Sequence, residues 1–269
     1  METQVEITPR PLPAQAGEMV LRFATQEGTT DQPEIFDTIQ GEGRNIGTPV
    51  VFARLSGCNL QCSWCDTPYT WAFTEAMAER HDEGKVYDRE AEQVRLEVGE
   101  AVEAIGGYQI KRLVITGGEP MLQQKGIVQL VKGLKEETED YWVEVETNGT
   151  IAPTEEMTEA IDQFNVSPKL ANSGNALDKR RRDPAMEAFA RNPKADFKFV
   201  STGQEDIMEI LELTDRYDIP AHRVYLMPEG RTPEEVEAHH KDLVELAKVL
   251  NFNVTTRLHV LIWGAKRGV

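Results

Sequence analysis

The sequence predicts an α/β fold in which strands and helices alternate to form a partial (β/α)6 barrel. Short apolar or β-branched runs recur along the chain, segments with helical spacing separate them, and polar motifs follow several of the runs. Repeated strand–helix units indicate a parallel sheet because their crossover connections are short and right-handed. A chain of 269 residues is long enough for one such domain.

Seven segments are predicted to be strands. Several are continuous apolar runs, which is typical of parallel strands that are covered on both faces. In chain order they are Pro49–Leu55, Leu113–Thr116, Trp142–Glu146, Phe164–Ser167, Phe197–Val200, Val224–Met227 and Leu258–Ile262.

Four segments are predicted to be helices. Apolar residues recur every three or four positions in Glu90–Ile105, which stops at a glycine pair. Thr232-Pro233-Glu234-Glu235 offers an N-cap, a proline at the first helical position and a glutamate at the third, so we expect a helix from there to Leu250. The other two are Gln124–Leu134 and Glu205–Tyr217.

The N-terminal segment differs from the rest of the chain. Pro9, Pro11 and Pro13 interrupt any helix there. We therefore predict a loosely ordered extension over residues 1–32 and a single domain over residues 33–269.

The charge balance restricts the partners. Asp and Glu number 46 against 29 Lys and Arg, a net charge of −17. Because Lys and Arg contacts to phosphate hold polyanions, this balance favours a small-molecule substrate over a nucleic acid. No apolar run approaches the roughly 20 residues of a membrane span, and residues 1–17 lack the apolar core of a secretory signal. We expect a cytoplasmic protein that binds neither membrane nor nucleic acid.

Cysteine is the most informative residue type. The chain has three cysteines, Cys58, Cys62 and Cys65, in one short stretch. An odd, clustered set without an export signal predicts a metal site rather than disulfides. A structural zinc site needs four protein ligands, and a ferredoxin cluster needs four cysteines. Here the three cysteines have no fourth ligand nearby in sequence, since the closest histidine is His81. Three cysteines can hold three irons of a four-iron cluster and leave the fourth open to another ligand. The loop follows a predicted strand, so it should lie at the carboxyl end of the sheet.

The C-x3-C-x2-C spacing, with Trp64 before the last cysteine, resembles the signature of the radical S-adenosylmethionine (SAM) superfamily. This resemblance implies a TIM-like partial barrel and a [4Fe–4S] cluster that binds SAM and cleaves it reductively to a 5′-deoxyadenosyl radical. The Gly117-Gly118-Glu119-Pro120 sequence resembles the superfamily's G-G-E-P element, and two further strand ends resemble its SAM-contacting segments. The implied SAM contacts are Trp64, Asp66, Gly118, Glu119, Asn148, Ser167, Pro168 and Lys169.

The block from Ile39 to Thr67 and the C-terminal sequence Trp263–Val269 together resemble the 7-carboxy-7-deazaguanine synthase (QueE) family. That family is a group of carbon–nitrogen lyases of queuosine and deazapurine biosynthesis. The resemblance implies conversion of 6-carboxy-5,6,7,8-tetrahydropterin to 7-carboxy-7-deazaguanine with loss of ammonia, a homodimer, and Mg²⁺ held by Thr67. The implied substrate contacts are Ile39, Gln40, Gly41, Glu42, Arg54 and Thr116.

The residue types suit these implied roles. An amide such as Gln40 can match the donors and acceptors of a pterin edge, and Arg54 can bind a carboxylate through two parallel hydrogen bonds. Magnesium prefers oxygen ligands, so a hydroxyl from Thr67 beside the substrate carboxylate is reasonable. The structural alternatives are an ion pair between Arg54 and Glu42, and a Thr67 that only caps the next turn.

Three further questions stay open at this point. Flavodoxins and ferredoxins, the expected reductants, are usually acidic, and Lys179-Arg180-Arg181-Arg182 is either their docking site or a solvated turn. A glycyl-radical-enzyme activase would share the cysteine spacing and act on a partner protein. A non-catalytic iron–sulfur electron-transfer protein or zinc module would need a fourth protein ligand and would not cleave SAM.

Overall fold

A computed structural model describes residues 19–269. Its centre is one ten-stranded sheet, open at both ends of its strand order, which makes it a partial barrel. The strands are β1 (Val20–Ala24), β2 (Ile35–Ile39), β3 (Pro49–Leu55), β4 (Gln93–Glu97), β5 (Arg112–Gly117), β6 (Trp142–Thr147), β7 (Gln163–Val166), β8 (Ala195–Ser201), β9 (Val224–Pro228) and β10 (Asn253–Val254).

The helices of residues 19–269 lie between strands in chain order, except for the last, which follows β10. They are α1 (Glu75–Ala78), α2 (Arg89–Glu92), α3 (Val98–Gly106), α4 (Gln124–Glu137), α5 (Glu155–Ala160), α6 (Leu177–Arg180), α7 (Asp183–Arg191), α8 (Gln204–Arg216), α9 (Pro233–Leu250) and α10 (Leu258–Trp263). None of the helices within residues 19–269 is both long and apolar enough to cross a membrane.

The sheet is parallel from β3 through β5, β6, β7, β8 and β9 to β10. Strands β1, β2 and β4 form an antiparallel edge, with β1 and β2 both paired to β3. Because the parallel strands point the same way, their carboxyl ends and the loops that follow them meet on one side of the sheet.

Six of the seven predicted strands are confirmed as β3 and β5–β9, as are the predicted helices α4, α8 and α9. Helix α9 begins as expected, with Thr232 and Glu235 forming a capping box. The predicted strand Leu258–Ile262 is wrong because this segment is helix α10. A short apolar run does not distinguish strand from helix, and here only Val260 of the helix is buried.

The predicted helix Glu90–Ile105 is wrong over Gln93–Glu97, which forms strand β4 against β1 between helices α2 and α3. Val94 and Leu96 alternate along this strand and pack against the core, which outweighs the helical spacing. Glu97 and Glu100 then form a capping box that starts helix α3 at Val98.

The prediction of a loosely ordered segment up to residue 32 is wrong for Val20–Ala24. This strand pairs with β3 and β4, and its Leu21 and Phe23 side chains are fully buried in the core. The folded domain therefore begins before the predicted boundary. The three prolines on which that prediction rested lie outside the described residues.

Candidate active site

A cavity of about 570 Å³ lies at the carboxyl ends of the parallel strands. All of the site residues predicted from the sequence line it except Glu119 and Pro168. The same cavity therefore contains the three cysteines, the strand-end motifs and the residues of the Ile39–Thr67 block.

The cysteine loop runs from the end of β3 to a short 3-10 turn at Pro68–Thr70. Two neighbouring segments hold it in place. Ser63 N donates to Ser173 O at 3.1 Å, and the carbonyl oxygen of Cys65 accepts from Arg231 Nη2 at 2.7 Å. The ring of the buried His81 also contacts the Cys65 carbonyl oxygen at 2.7 Å.

All three cysteines are free thiols that line the cavity. Burial raises the pKa of each thiol, that of Cys62 to about 11. A cationic partner such as iron is therefore needed to hold these sulfurs as thiolates. Each sulfur also accepts a hydrogen bond from Leu60 N, Asn175 Nδ2 or Trp71 Nε1.

The glycines of the G-G-E-P turn bring two backbone segments together. Gly117 has φ +138°, and a Cβ there would lie 1.9 Å from the carbonyl oxygen of Leu55. A Cβ on Gly118 would lie 2.2 Å from the carbonyl oxygen of Gly57. These glycines therefore make room for the backbone at the start of the cysteine loop.

Glu119, predicted as a cofactor contact, is buried and does not line the cavity in the structure. Its buried carboxylate accepts hydrogen bonds from Met121 N at 3.0 Å, Thr147 Oγ1 at 2.7 Å and Asn148 N at 2.7 Å. Glu119 thus ties the ends of β5 and β6 together. Pro168 is buried and likewise absent from the cavity wall.

The remaining SAM-motif residues brace the cysteine loop from the other side. Asn148 Nδ2 donates to Asn59 Oδ1 at 2.9 Å. Lys169 Nζ donates to Ser167 Oγ at 2.8 Å and lies 5.7 Å from the centroid of the Trp64 ring. The polar turns after β6 and β7 are therefore in contact with the predicted cluster loop.

Arg54 pairs with Glu34, not with Glu42 as the structural alternative supposed. Its Nε donates to the buried Glu34 carboxylate at 2.8 Å, while its terminal amino groups have no hydrogen-bond partner within residues 19–269. Arg54 and Thr116 are paired across β3 and β5, so their side chains project from the same face into the cavity. The free end of the guanidinium can bind a carboxylate there.

Glu42 belongs to a buried ionic network that the sequence did not reveal. Lys198 Nζ contacts Glu42 Oε2 at 2.5 Å and Glu146 Oε2 at 2.8 Å. Arg257 Nε contacts Glu42 Oε1 at 3.2 Å, and Arg257 also pairs with Asp66. Burial opposes the charged form of Glu42, but Lys198 and Arg257 lower its pKa, so the carboxylate is charged.

His259 also lines the cavity without having been predicted. Its Nε2 lies 3.9 Å from Glu42 Oε1, and burial lowers its pKa, which favours the neutral ring. A Cβ on Gly41 would lie 2.3 Å from His259 Nδ1. Gly41 therefore allows helix α10 to approach, and Leu258 N donates to the Gly41 carbonyl at 2.9 Å.

Gln40 points into the polar interior of the barrel. Its amide donates to Glu144 and, at 3.3 Å, to Glu146. Both carboxylates lie on the face of β6 opposite to the apolar Val143 and Val145. To contact a pterin, the amide of Gln40 would have to exchange one of these partners.

Thr67 does not cap the turn with its side chain, so that structural alternative is wrong. Its hydroxyl faces the sulfur of Cys65 at 3.6 Å and lines the cavity, while its carbonyl accepts from Thr70. The hydroxyl is therefore available to another ligand.

The basic run Lys179-Arg180-Arg181-Arg182 contains two ion-paired arginines and two exposed cations. Arg180 pairs with Glu209, and Arg181 pairs with Glu209 and with Glu212. Lys179 and Arg182 are exposed and form no ion pair within the part of the chain that the structure describes. At most these two cations are free to meet a partner.

Comparisons with known proteins agree with this site. The model of the radical SAM superfamily matches residues 54–243. The 7-carboxy-7-deazaguanine synthase of Pyrobaculum aerophilum is 37% identical over 87% of this chain and 95% of its own length. The 7-carboxy-7-deazaguanine synthase of Halobacterium salinarum is 35% identical over 86% of this chain and 89% of its own length. The crystal structure of QueE from Escherichia coli superposes with a TM-score of 0.62 at 25% identity, over 88% of this chain and 95% of that one.

The partial barrel, the cysteine loop and the family match define a radical SAM protein. Within that superfamily, the chain belongs to the 7-carboxy-7-deazaguanine synthase family.

Membership implies a [4Fe–4S] cluster and SAM. The donor set fits the cluster because three free thiols on one loop face one cavity, and a cluster iron left without a protein thiolate can take an outside ligand.

Proposed function

We propose that this chain contracts the ring of 6-carboxy-5,6,7,8-tetrahydropterin to give 7-carboxy-7-deazaguanine and ammonia. The observation that carries the proposal is one cavity that combines the three cysteines with Arg54, whose terminal amino groups have no hydrogen-bond partner among residues 19–269. Loss of one ammonia accounts for the whole difference in composition between substrate and product, so no external oxidant is required.

The chain's own residues would divide the work in the following way. Arg54 binds the substrate carboxylate, and Glu42, held as a carboxylate by Lys198 and Arg257, accepts hydrogen bonds from N–H groups of the pterin. Ile39, Gln40, Gly41, Thr116 and His259 complete the substrate wall. Cys58, Cys62 and Cys65 hold the cluster.

Trp64, Asp66, Gly118, Asn148, Ser167 and Lys169 are proposed to contact SAM. When bound, the reduced cluster and SAM supply the radical that removes a hydrogen atom from the substrate. The protein supplies position and excludes water. We also propose that the Thr67 hydroxyl binds Mg²⁺ and that the chain is a homodimer, which sedimentation equilibrium would test.

Anaerobic turnover tests the proposed reaction. The reconstituted protein is mixed with dithionite, SAM, Mg²⁺ and the pterin, and mass spectrometry follows 7-carboxy-7-deazaguanine. We expect product without any partner protein, which a glycyl-radical activase would require. If 5′-deoxyadenosine accumulates while the pterin is unchanged, the radical chemistry stands and the proposed substrate is wrong.

Arg54→Met should raise KM for the carboxylated pterin by about 10-fold to 150-fold, since a hydrogen bond to a charged group typically contributes about 1.5–3 kcal/mol. The matched variant Arg54→Lys keeps the charge but not the paired donors, so we expect it to be intermediate. Steady-state kinetics measure both. An unchanged KM in Arg54→Met would remove Arg54 from the substrate site.

We further propose that an acidic flavodoxin or ferredoxin delivers the electron near α6. The loop before this helix contacts the cysteine loop, and Lys179 and Arg182 are its exposed cations. Charge complementarity of this kind raises association rates and weakens with salt.

The double variant Lys179→Ser/Arg182→Ser should slow flavodoxin-driven turnover severalfold and leave dithionite-driven turnover unchanged. Lys125→Ser/Lys132→Ser removes the same charge from exposed positions on α4 and serves as the control. Equal losses with both reductants, or equal losses in both double variants, would contradict docking at α6.

A further inference from the structure

Two side chains from outside the cysteine loop donate hydrogen bonds to its sulfurs. Trp71 Nε1 donates to Cys65 Sγ at 3.3 Å, and Asn175 Nδ2 donates to Cys62 Sγ at 3.3 Å. Among the hydrogen bonds of residues 19–269, Cys58 Sγ accepts only from the backbone of its own loop. Two of the three sulfurs therefore have donors that the surrounding fold provides.

The fold fixes both donors in these positions. The Trp71 ring is 3% exposed and packs edge to face against His81, which in turn contacts the Cys65 carbonyl. The amide oxygen of Asn175 accepts from Gln61 N at 2.9 Å, which directs the amide nitrogen toward Cys62.

An N–H group that points at a cysteine sulfur stabilises negative charge on an attached iron–sulfur cluster. Reduction adds one negative charge, so the reduced cluster gains more from such a bond than the oxidised cluster does. Hydrogen bonds to the sulfurs are for this reason one of the means by which proteins set cluster potentials.

We propose that Trp71 and Asn175 are positioning residues that raise the reduction potential of the cluster held by Cys58, Cys62 and Cys65. The inference rests on the proposed function only in requiring that the cluster binds there. It does not depend on the identity of the substrate.

Redox titration of the reconstituted protein, followed by electron paramagnetic resonance without SAM or pterin, tests this inference. At the wild-type midpoint potential, Trp71→Phe and Asn175→Ala should each lower the ratio of reduced to oxidised cluster about threefold to tenfold. A tenfold change corresponds to 59 mV for one electron. Trp142→Phe removes a partly exposed indole on β6 and should leave the potential unchanged.

Iron and sulfide analysis must accompany each titration. Unchanged or higher potentials in fully loaded Trp71→Phe and Asn175→Ala would overturn the inference. Failure of both variants to load iron would also overturn it, because the two residues would then serve to hold the loop. If the potentials fall as expected but wild-type protein converts no pterin, the inference stands and the proposed function fails.

Discussion

Cys62→Ala should lose the iron–sulfur cluster and, with it, all detectable SAM cleavage and pterin turnover. Cys62 is a buried residue, whereas Cys58 and Cys65 are half-buried, and the chain has no fourth cysteine to replace it. Two cysteines would ligate only two of the four irons, which leaves the cluster open to loss. Iron content per chain and 5′-deoxyadenosine formation measure the two effects.

Ser63→Ala is the matched control because Ser63 is the next residue of the same loop. Its backbone N–H holds the loop through Ser173, and its side chain is not part of the cavity wall. We expect a normal cluster and normal turnover in this variant. A Cys62→Ala protein with a full iron complement would point to another protein ligand, as a non-catalytic module requires.

Lys198→Met should destabilise the apo protein by about 3–5 kcal/mol, because it leaves Glu42 and Glu146 buried without their shared cation. We also expect a lower kcat/KM, since Glu42 loses the contact that fixes it at the cavity wall. Urea unfolding at pH 7 measures the stability. Lys135→Met, which breaks the more exposed Lys135–Asp162 pair, should cost at most about 1 kcal/mol.

The pH dependence of this loss has a definite sign. In the wild type, folding lowers the pKa of Glu42. The stability that the charged carboxylate provides is therefore present above the pKa of Glu42 in the unfolded chain, and it is lost as pH falls through the pKa in the folded protein. Without Lys198, burial favours the protonated form of Glu42, and the deficit relative to wild type should shrink as pH falls from 7 to 5. Glu146→Gln should partly restore Lys198→Met. A deficit that is independent of pH would contradict an electrostatic origin.

The parts of the site that the sequence predicted are local in the chain. The cysteine spacing defines a metal-binding loop within eight residues, and strand β3 before it is apolar except for Arg54. The G-G-E-P turn was also predicted, and its glycines allow it to pack closely against the backbone at the start of the cysteine loop. Such features need no knowledge of what lies across the fold.

The parts that were missed depend on contacts between distant residues. Glu42 and Lys198 are 156 positions apart, and no local pattern predicts that they meet. One signal was present, because a lysine within the apolar run Phe197–Val200 is unusual in a buried strand unless it is paired. Strand β4 was missed for a similar reason, since its partner β1 lies in a segment that seemed unpatterned.

The ratio of 7-carboxy-7-deazaguanine formed to SAM consumed tests the assignment most directly. The reconstituted protein is incubated anaerobically with dithionite, Mg²⁺ and a large excess of pterin over SAM, and both products and remaining SAM are quantified. We predict many product molecules for each SAM lost, because substrate and product differ only by ammonia, so the reaction requires no net consumption of SAM. Consumption of SAM to 5′-deoxyadenosine without any deazaguanine product would contradict the assignment.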